Sequence, residues 1–238
     1  MHLTLLSGGA AQGLVAALAA RLSAETGATI AGSFGAVGAM REKLLAGAPA
    51  DLLILTAPMI RDLAREGHVD ASTILNVGLV RTAVAVPNGA ATPPIDTADR
   101  LRAALLAADA IYFPDPERAT AGIHFAKVLA ALGLTGALIA GKARIHANGA
   151  AAMQALAGAG PGAIGATQAT EILSTPGVRL IGALPAPFEL ATVYTLALSR
   201  RAQAPAPARV LARLLTAADE ADLRARLGFE PLPADDAP

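Results

Sequence analysis

The sequence predicts an α/β fold in two lobes, each a mainly parallel sheet flanked by helices, joined by crossing hinge strands. Three observations carry this. Strand–helix units repeat through the first third of the chain, a second series of the same kind begins near residue 110, and a long apolar run stands at each junction, near residues 79–86 and 190–196. Repeated units of this length require parallel strands with right-handed crossovers. The expected division is residues 1–80 with 195–238 in one lobe and 84–191 in the other.

Each element follows from local pattern. Leu3–Leu6 reads as a strand, and Gly8-Gly9 as its turn. Leu14, Leu18 and Leu22, spaced by four, give the apolar stripe of a helix that ends near Gly27. Thr29–Phe34 is the second strand, and Met40, Leu44 and Leu45 mark a helix stopping at Gly47. Asp51–Leu55 is nearly all apolar, the pattern of a strand covered on both faces. Ile60, Leu63 and Ala64 mark a helix ending at Gly67. After the run 79–86 and a Pro-rich linker come a helix around 101–106, strand 110–113, helix 121–132, strand 144–146, helix 150–156, and strands 162–165, 178–181 and 190–196. Residues 206–227 form one helix or a pair, and Pro231-Leu232-Pro233 with the acidic end reads as frayed.

Composition removes several function classes. Nineteen basic residues balance nineteen acidic ones, so the basic excess of a nucleic-acid binder is missing. The chain has no cysteine, which excludes disulfides, thiolate catalysis and Cys-ligated zinc. His2, His68, His124 and His146 lack metal-ligand spacing, so no metal is expected. There is no phosphate loop and no G-x-S-x-G elbow. Gly8-Gly9-Ala10-Ala11-Gln12-Gly13 departs from the dinucleotide fingerprint, and no acidic residue ends the second strand, so no cofactor is expected. Met1–Ser7 runs into Gly8-Gly9 without a basic start, so no export signal is read, and no apolar stretch reaches membrane-spanning length. The expected location is cytoplasmic for the chain as written, or periplasmic if it is the mature form of an exported protein.

Four turns run from a strand end into a helix start: Ser7–Ala11, Ser33–Gly38, Arg118–Gly122 and Asn148–Ala151. Ligands of open parallel sheets bind outside the carboxyl ends of the strands, where helix N-termini offer free N–H groups and partial positive charge. The candidate ligand contacts are Ser7, Gly8, Gly9 and Ala10 in the first turn and Ser33, Phe34, Gly35 and Gly38 in the second. Arg118, Thr120 and Ala121 belong to the third, Asn148 and Gly149 to the fourth, and Thr167 and Gln168 follow a later strand. The blander reading is ordinary βα turns that need glycine for geometry. Arg118 suits bidentate carboxylate binding or is a solvated loop arginine. Thr120 is expected to cap the helix at Ala121, and Thr167 either faces a ligand or caps a helix. Tyr194 reads as core or hinge.

Family motifs lie on the same segments. Gly47-Ala48-Pro49-Ala50-Asp51-Leu52-Leu53-Ile54 resembles the helix-to-strand turn of molybdate-binding proteins of ABC transporters. Ser33–Gly38 sits where that family has a serine-rich turn, and Asp115-Pro116-Glu117 followed by Ala121-Gly122-Ile123 resembles its later turn and helix. The chain is thus similar to the molybdate-binding branch of the periplasmic-binding-protein type 2 superfamily, and more distantly to its aconitate-isomerase-like members. The resemblance implies a two-lobed fold that closes on a small anion in the interlobe cleft, with an ABC transporter as partner if the protein is exported. The family's molybdate ligands are serines and a tyrosine. This chain instead has Gly9, Ala36-Val37-Gly38 and Gly165-Ala166-Thr167-Gln168, so weak molybdate binding and a carboxylate ligand are expected. The alternative is a cytoplasmic, cofactor-independent isomerase of an unsaturated di- or tricarboxylic acid, with His124, Glu117 or Glu171 moving the proton.

Overall fold

The computed structural model describes residues 1–136, 139 and 141–232. Of the frayed end expected from Pro231, the part from Pro233 onward, like the last part of the 195–238 segment, lies outside the described residues. The chain forms two compact units, Met1–Val80 with the chain from Thr192, and Arg81–Ala191.

In the first unit β1 (His2–Gly8) is central, parallel to both β2 (Thr29–Gly35) and β3 (Leu52–Thr56), and β9 (Ala191–Leu198) runs antiparallel to β3. Every residue of β3 is buried, as its unbroken apolar sequence demands. Helices α1 (Gln12–Thr26), α2 (Val37–Leu45) and α3 (Ala57–Arg65) follow the first three strands. The stripe Leu14, Leu18 and Leu22 is buried, and Gly27 ends α1 at a φ of 68°.

The second unit is entered within β4 (Leu75–Pro87) and left at the start of β9. Its centre is β5 (Ala110–Pro114), parallel to β6 (Ala143–His146) and β7 (Ala163–Gln168). The long β4 pairs antiparallel with β7 and with β8 (Val178–Ala183), so this sheet is mixed. Helices α4 (Ala98–Ala107), α5 (Thr120–Ala131), α6 (Gly149–Ala157) and the single turn α7 (Ala169–Leu173) flank it. Phe125, Val128 and Leu129 of α5 are buried, with the Phe125 ring 5.4 Å from that of Phe113 on β5. Burying a ring of this kind contributes about 1.5–3 kcal/mol.

The expected final helix is two, α8 (Pro205–Thr216) and α9 (Ala221–Arg226). Leu211, Leu214 and Leu215 are buried, and α8 packs on α1. What fixes α8 there is Asp51, only 2% exposed. Its Oδ2 accepts from the Thr4 amide at 2.7 Å and the Thr4 hydroxyl at 2.6 Å. Its Oδ1 accepts from the amides of Gln203 at 2.6 Å and Ala204 at 2.8 Å, the residues that open α8. Burial alone would raise the Asp51 pKa, but the bonds from Thr4, Ala204 and Gln203 together outweigh it and hold the carboxyl below its ordinary value.

Replacing Asp51 strands buried donors on two segments. Asp51→Ala should lower the unfolding free energy by about 3 kcal/mol at pH 7, read from urea midpoints. A depressed carboxylate pKa stabilises above the unfolded value, about 3.9, and that contribution disappears as pH falls through the lower folded value. The stability gap between the unmodified protein and Asp51→Asn should therefore shrink in strong acid.

Candidate functional site

A helix start leaves its first amides without intrahelical partners and carries partial positive charge. Here the starts are of two kinds. Two are capped by a side chain: the Thr97 hydroxyl accepts from Arg100 N–H at α4, and Asn148 Oδ1 accepts from Ala151 N–H at α6. At α8 there is no side-chain cap, and Asp51 binds the amides of Gln203 and Ala204 just before the helix. Three others, following β1, β2 and β5, are buried and have no side-chain cap. They are the 3-10 turn Gly9–Ala11 leading into α1, the start of α2 after Ala36, and the start of α5 after Ala119. The starts of α3 and of the short, buried α7 are also uncapped, and Pro58 removes one donor of α3.

In the first unit the two open starts lie on neighbouring parallel strands, with Gly8 opposite Gly35 in register. Ser7 is buried, and its hydroxyl donates to the Gly8 carbonyl at 2.9 Å. Ser33 and Phe34 are half-buried, and the Phe34 ring lies over Gly32 of its own strand. Gly35 is buried and Gly38, in the first turn of α2, is half-buried. A Cβ on Gly8 would come within 3.0 Å of the Tyr194 ring and 2.8 Å of Val37, so Tyr194 packs at this same end of β1.

In the second unit the turn after β5 is organised by Asp115. Its carboxylate accepts from the amides of Glu117 at 2.7 Å and Arg118 at 3.1 Å, and its carbonyl accepts from Ala119 N–H at 3.2 Å. Both Glu117 and Arg118 are exposed, and Arg118 forms no ion pair among the described residues. Thr120 does not cap the helix. It is the first helical residue, because Ala119 occupies the cap position. Gly122 lets this turn sit on the strand end, since a Cβ there would lie 2.2 Å from the Asp115 carbonyl oxygen. Ala121 and Gly122 are buried. His124, half-buried one turn further along, donates from Nε2 to the Phe188 carbonyl at 2.8 Å.

Sequence reasoning placed Thr170 with Thr167, Gln168 and Glu171 in a polar cluster able to read a ligand's carboxylates or hydroxyls, passed over Thr82, and assigned Tyr194 to core or hinge. Nothing local distinguished a threonine inside an apolar strand from a packing residue. β7 extends further than its apolar core suggested, so Thr167 and Gln168 are buried strand residues rather than part of the following turn. Thr167 caps no helix, and its hydroxyl donates to Glu171 Oε2 at 2.5 Å. Among the described residues no cluster of three acidic or histidine side chains is arranged to hold a metal ion.

Glu171 explains why the fourth expected turn is closed. Its buried carboxyl accepts from the Thr167 hydroxyl and from the amides of Gln168 and Ala150, so it takes a donor of the α6 start. Gly149 makes room for it, because a Cβ there would lie 1.9 Å from Oε2. Burial raises its pKa, and the three hydrogen bonds offset this only in part. For a raised carboxyl pKa the penalty is absent below the unfolded value, about 4.3, grows as pH rises, and is complete above the folded value. Glu171→Gln should therefore flatten the decline of stability above pH 5 in urea titrations. Glu171→Ala, which leaves buried donors and a cavity, should cost about 2–4 kcal/mol at every pH.

With this geometry in hand, known proteins can be set beside the chain. The model of the bacterial extracellular solute-binding protein family matches residues 3–230. The periplasmic molybdate-binding protein of Azotobacter vinelandii superposes with a TM-score of 0.78 at 18% identity, over 97% of this chain and 99% of that one. The sulfate-binding protein SubI of Mycobacterium tuberculosis gives 0.73 at 19% identity, over 99% of this chain and 88% of that one. An aconitate isomerase from a Pseudomonas species is 26% identical over 237 residues, 98% of this chain and 88% of that protein. No helix among the described residues is long and apolar enough to cross a membrane. Since the family model spans nearly the whole chain and the solved neighbours share its fold, the chain belongs to the bacterial extracellular solute-binding protein family.

Proposed function

We propose that this protein binds a small anion through backbone amides at its uncapped helix starts, as a solute-binding protein that hands its ligand to an ABC transporter. The observation that carries the reading is the pairing of burial with missing caps at Gly9–Ala11, Val37 and Thr120–Gly122. The α4 and α6 starts, by contrast, are capped by Thr97 and Asn148. Amides fixed by the fold stabilise an anion without a charged partner that would itself need desolvation. Solved neighbours that bind molybdate and sulfate support an anion as the ligand class. The family's description as extracellular supports work outside the cytoplasm, in the periplasm of an exported mature form.

A carboxylate is favoured over molybdate. The Ser7 hydroxyl is committed to its own backbone, and Ala36-Val37-Gly38 supplies none. Arg118, exposed beside the α5 start, is the cation available to a carboxylate arriving there.

The aconitate isomerase relative, aligned along 98% of this chain, supports a second reading, isomerisation of an unsaturated polycarboxylate. Glu171 would be its buried acid, His124 the imidazole fixed through Nε2, and Glu117 the exposed carboxylate. Proton NMR of trans-aconitate incubated with the protein in D2O separates the readings. Isomerisation incorporates deuterium, pure binding leaves the spectrum unchanged, and an unchanged spectrum removes the enzyme reading.

Thr120→Pro is a direct probe of the amide site. Proline is tolerated at the first helical position, and Ala119, at φ −96° and ψ 128°, already holds a conformation that suits a residue before proline. Across succinate, citrate, trans-aconitate, sulfate, phosphate and molybdate, at least one anion should raise the melting temperature of the unmodified protein. Thr120→Pro should weaken that anion about 10-fold with little change in ligand-free stability, whereas Thr120→Val, which keeps the N–H, should bind within about 2-fold. Binding by Thr120→Pro at full strength would remove the α5 start from the site.

A further inference from the structure

Thr82 and Thr170 are each only 1% exposed, and their hydroxyls find no hydrogen-bond partner among the described residues. Burying a hydroxyl without a partner is destabilising, and valine would fill the same volume without the penalty. The two lie close in the second unit. Thr82 on β4 stands opposite Gln168 on β7, and Thr170 lies two residues beyond Gln168. β7 is the neighbour of β5, whose end leads into the open start of α5. Adjacent strands are about 4.8 Å apart and β7 stands between β4 and β5, so the backbone at Thr82 lies about 10 Å across the sheet from β5. Both are neutral groups, able to donate to a ligand oxygen or to accept from a ligand hydroxyl.

We propose that the hydroxyls of Thr82 and Thr170 form a second contact point for the anion held at the α5 start, so that the ligand is an organic acid carrying another oxygen group beyond its first carboxylate. This rests on the anion-binding reading above and extends it to a substrate class. One tetrahedral oxyanion, whose oxygens share a single centre, is too compact to reach both places. The carbon chain of a di- or tricarboxylate, or of a hydroxy acid, spans them. The charged end takes the amides, and the second oxygen group takes hydroxyls that carry no charge.

The test is titration calorimetry and thermal denaturation of the unmodified protein and of Thr82→Val, Thr170→Val, Thr82→Ser and Thr170→Ser, with succinate, citrate, sulfate and molybdate as probes. The expected result is binding of succinate or citrate by the unmodified protein, about 10-fold weaker in each valine variant and within about 3-fold in each serine variant, which keeps the hydroxyl. The valine variants should melt at the same temperature or higher without ligand, because they lose a buried group that had no partner. Valine variants that bind succinate and citrate at full strength overturn the proposal. So do valine variants that melt markedly lower, or fail to fold, since the hydroxyls would then be satisfied within the protein or by internal water. If the unmodified protein binds only sulfate or molybdate, the anion reading stands and this extension fails. If it binds none of the four, both fail.

Discussion

The first unit is assembled from two distant segments of chain, and the carboxylate of Asp51 is where they are joined. It sits at the entry of β3, receives two hydrogen bonds from Thr4 on β1, and takes the amides of Gln203 and Ala204 at the start of α8. A carboxylate offers about four acceptor sites on a short stem, which neither an amide nor a hydroxyl can match among donors alone. The charge also suits the positive end of α8. The aspartate at the end of Gly47-Ala48-Pro49-Ala50-Asp51 is thus a structural link between β1, β3 and the returning helix, and the open helix starts after β1 and β2 are held in place by a unit closed in this way.

A second buried carboxylate uses the same geometry with the opposite electrostatic result. Glu171 also accepts amides at a helix start, that of α6, yet its pKa is raised where that of Asp51 is lowered. The difference is a balance between donors and dehydration. Asp51 gains two bonds at each oxygen, including both the hydroxyl and amide of Thr4, whereas the three donors to Glu171 do not offset the cost of its burial. By taking the Ala150 amide, Glu171 withdraws the α6 start from any external ligand. Thr97 and Asn148 cap α4 and α6, whereas the buried starts after β1, β2 and β5 carry no side-chain cap.

An anion site made of backbone amides is specific in shape more than in charge. The selectivity of the proposed site would depend on what surrounds the amides, and in the second unit the surroundings are Gly122 pressed on the Asp115 carbonyl, the exposed Arg118 turn, and the buried threonines near the end of β7. Solved neighbours with molybdate and sulfate in their names share this fold, and a sequence relative is named an aconitate isomerase. That spread of chemistry fits a scaffold in which amide positions are constant and side chains at the strand ends select the ligand.

Much of this was legible in the chain alone. Periodicity located nearly every strand and helix, because apolar spacing reports which face an element buries, and the glycine-marked turns identified where helices begin. Family motifs then pointed to the fold. Local sequence could not say what the two buried carboxylates hold, since their donors come from far away: Asp51 reaches residues 203 and 204, and Glu171 reaches Ala150. Nor could it assign Thr120 to the first helical position, extend β7 through Gln168, or separate Thr82 from its apolar neighbours. Periodicity is a property of neighbours along the chain and the sequence determined it, whereas the pairing of a buried donor or acceptor depends on neighbours in space, and only the tertiary structure decided that.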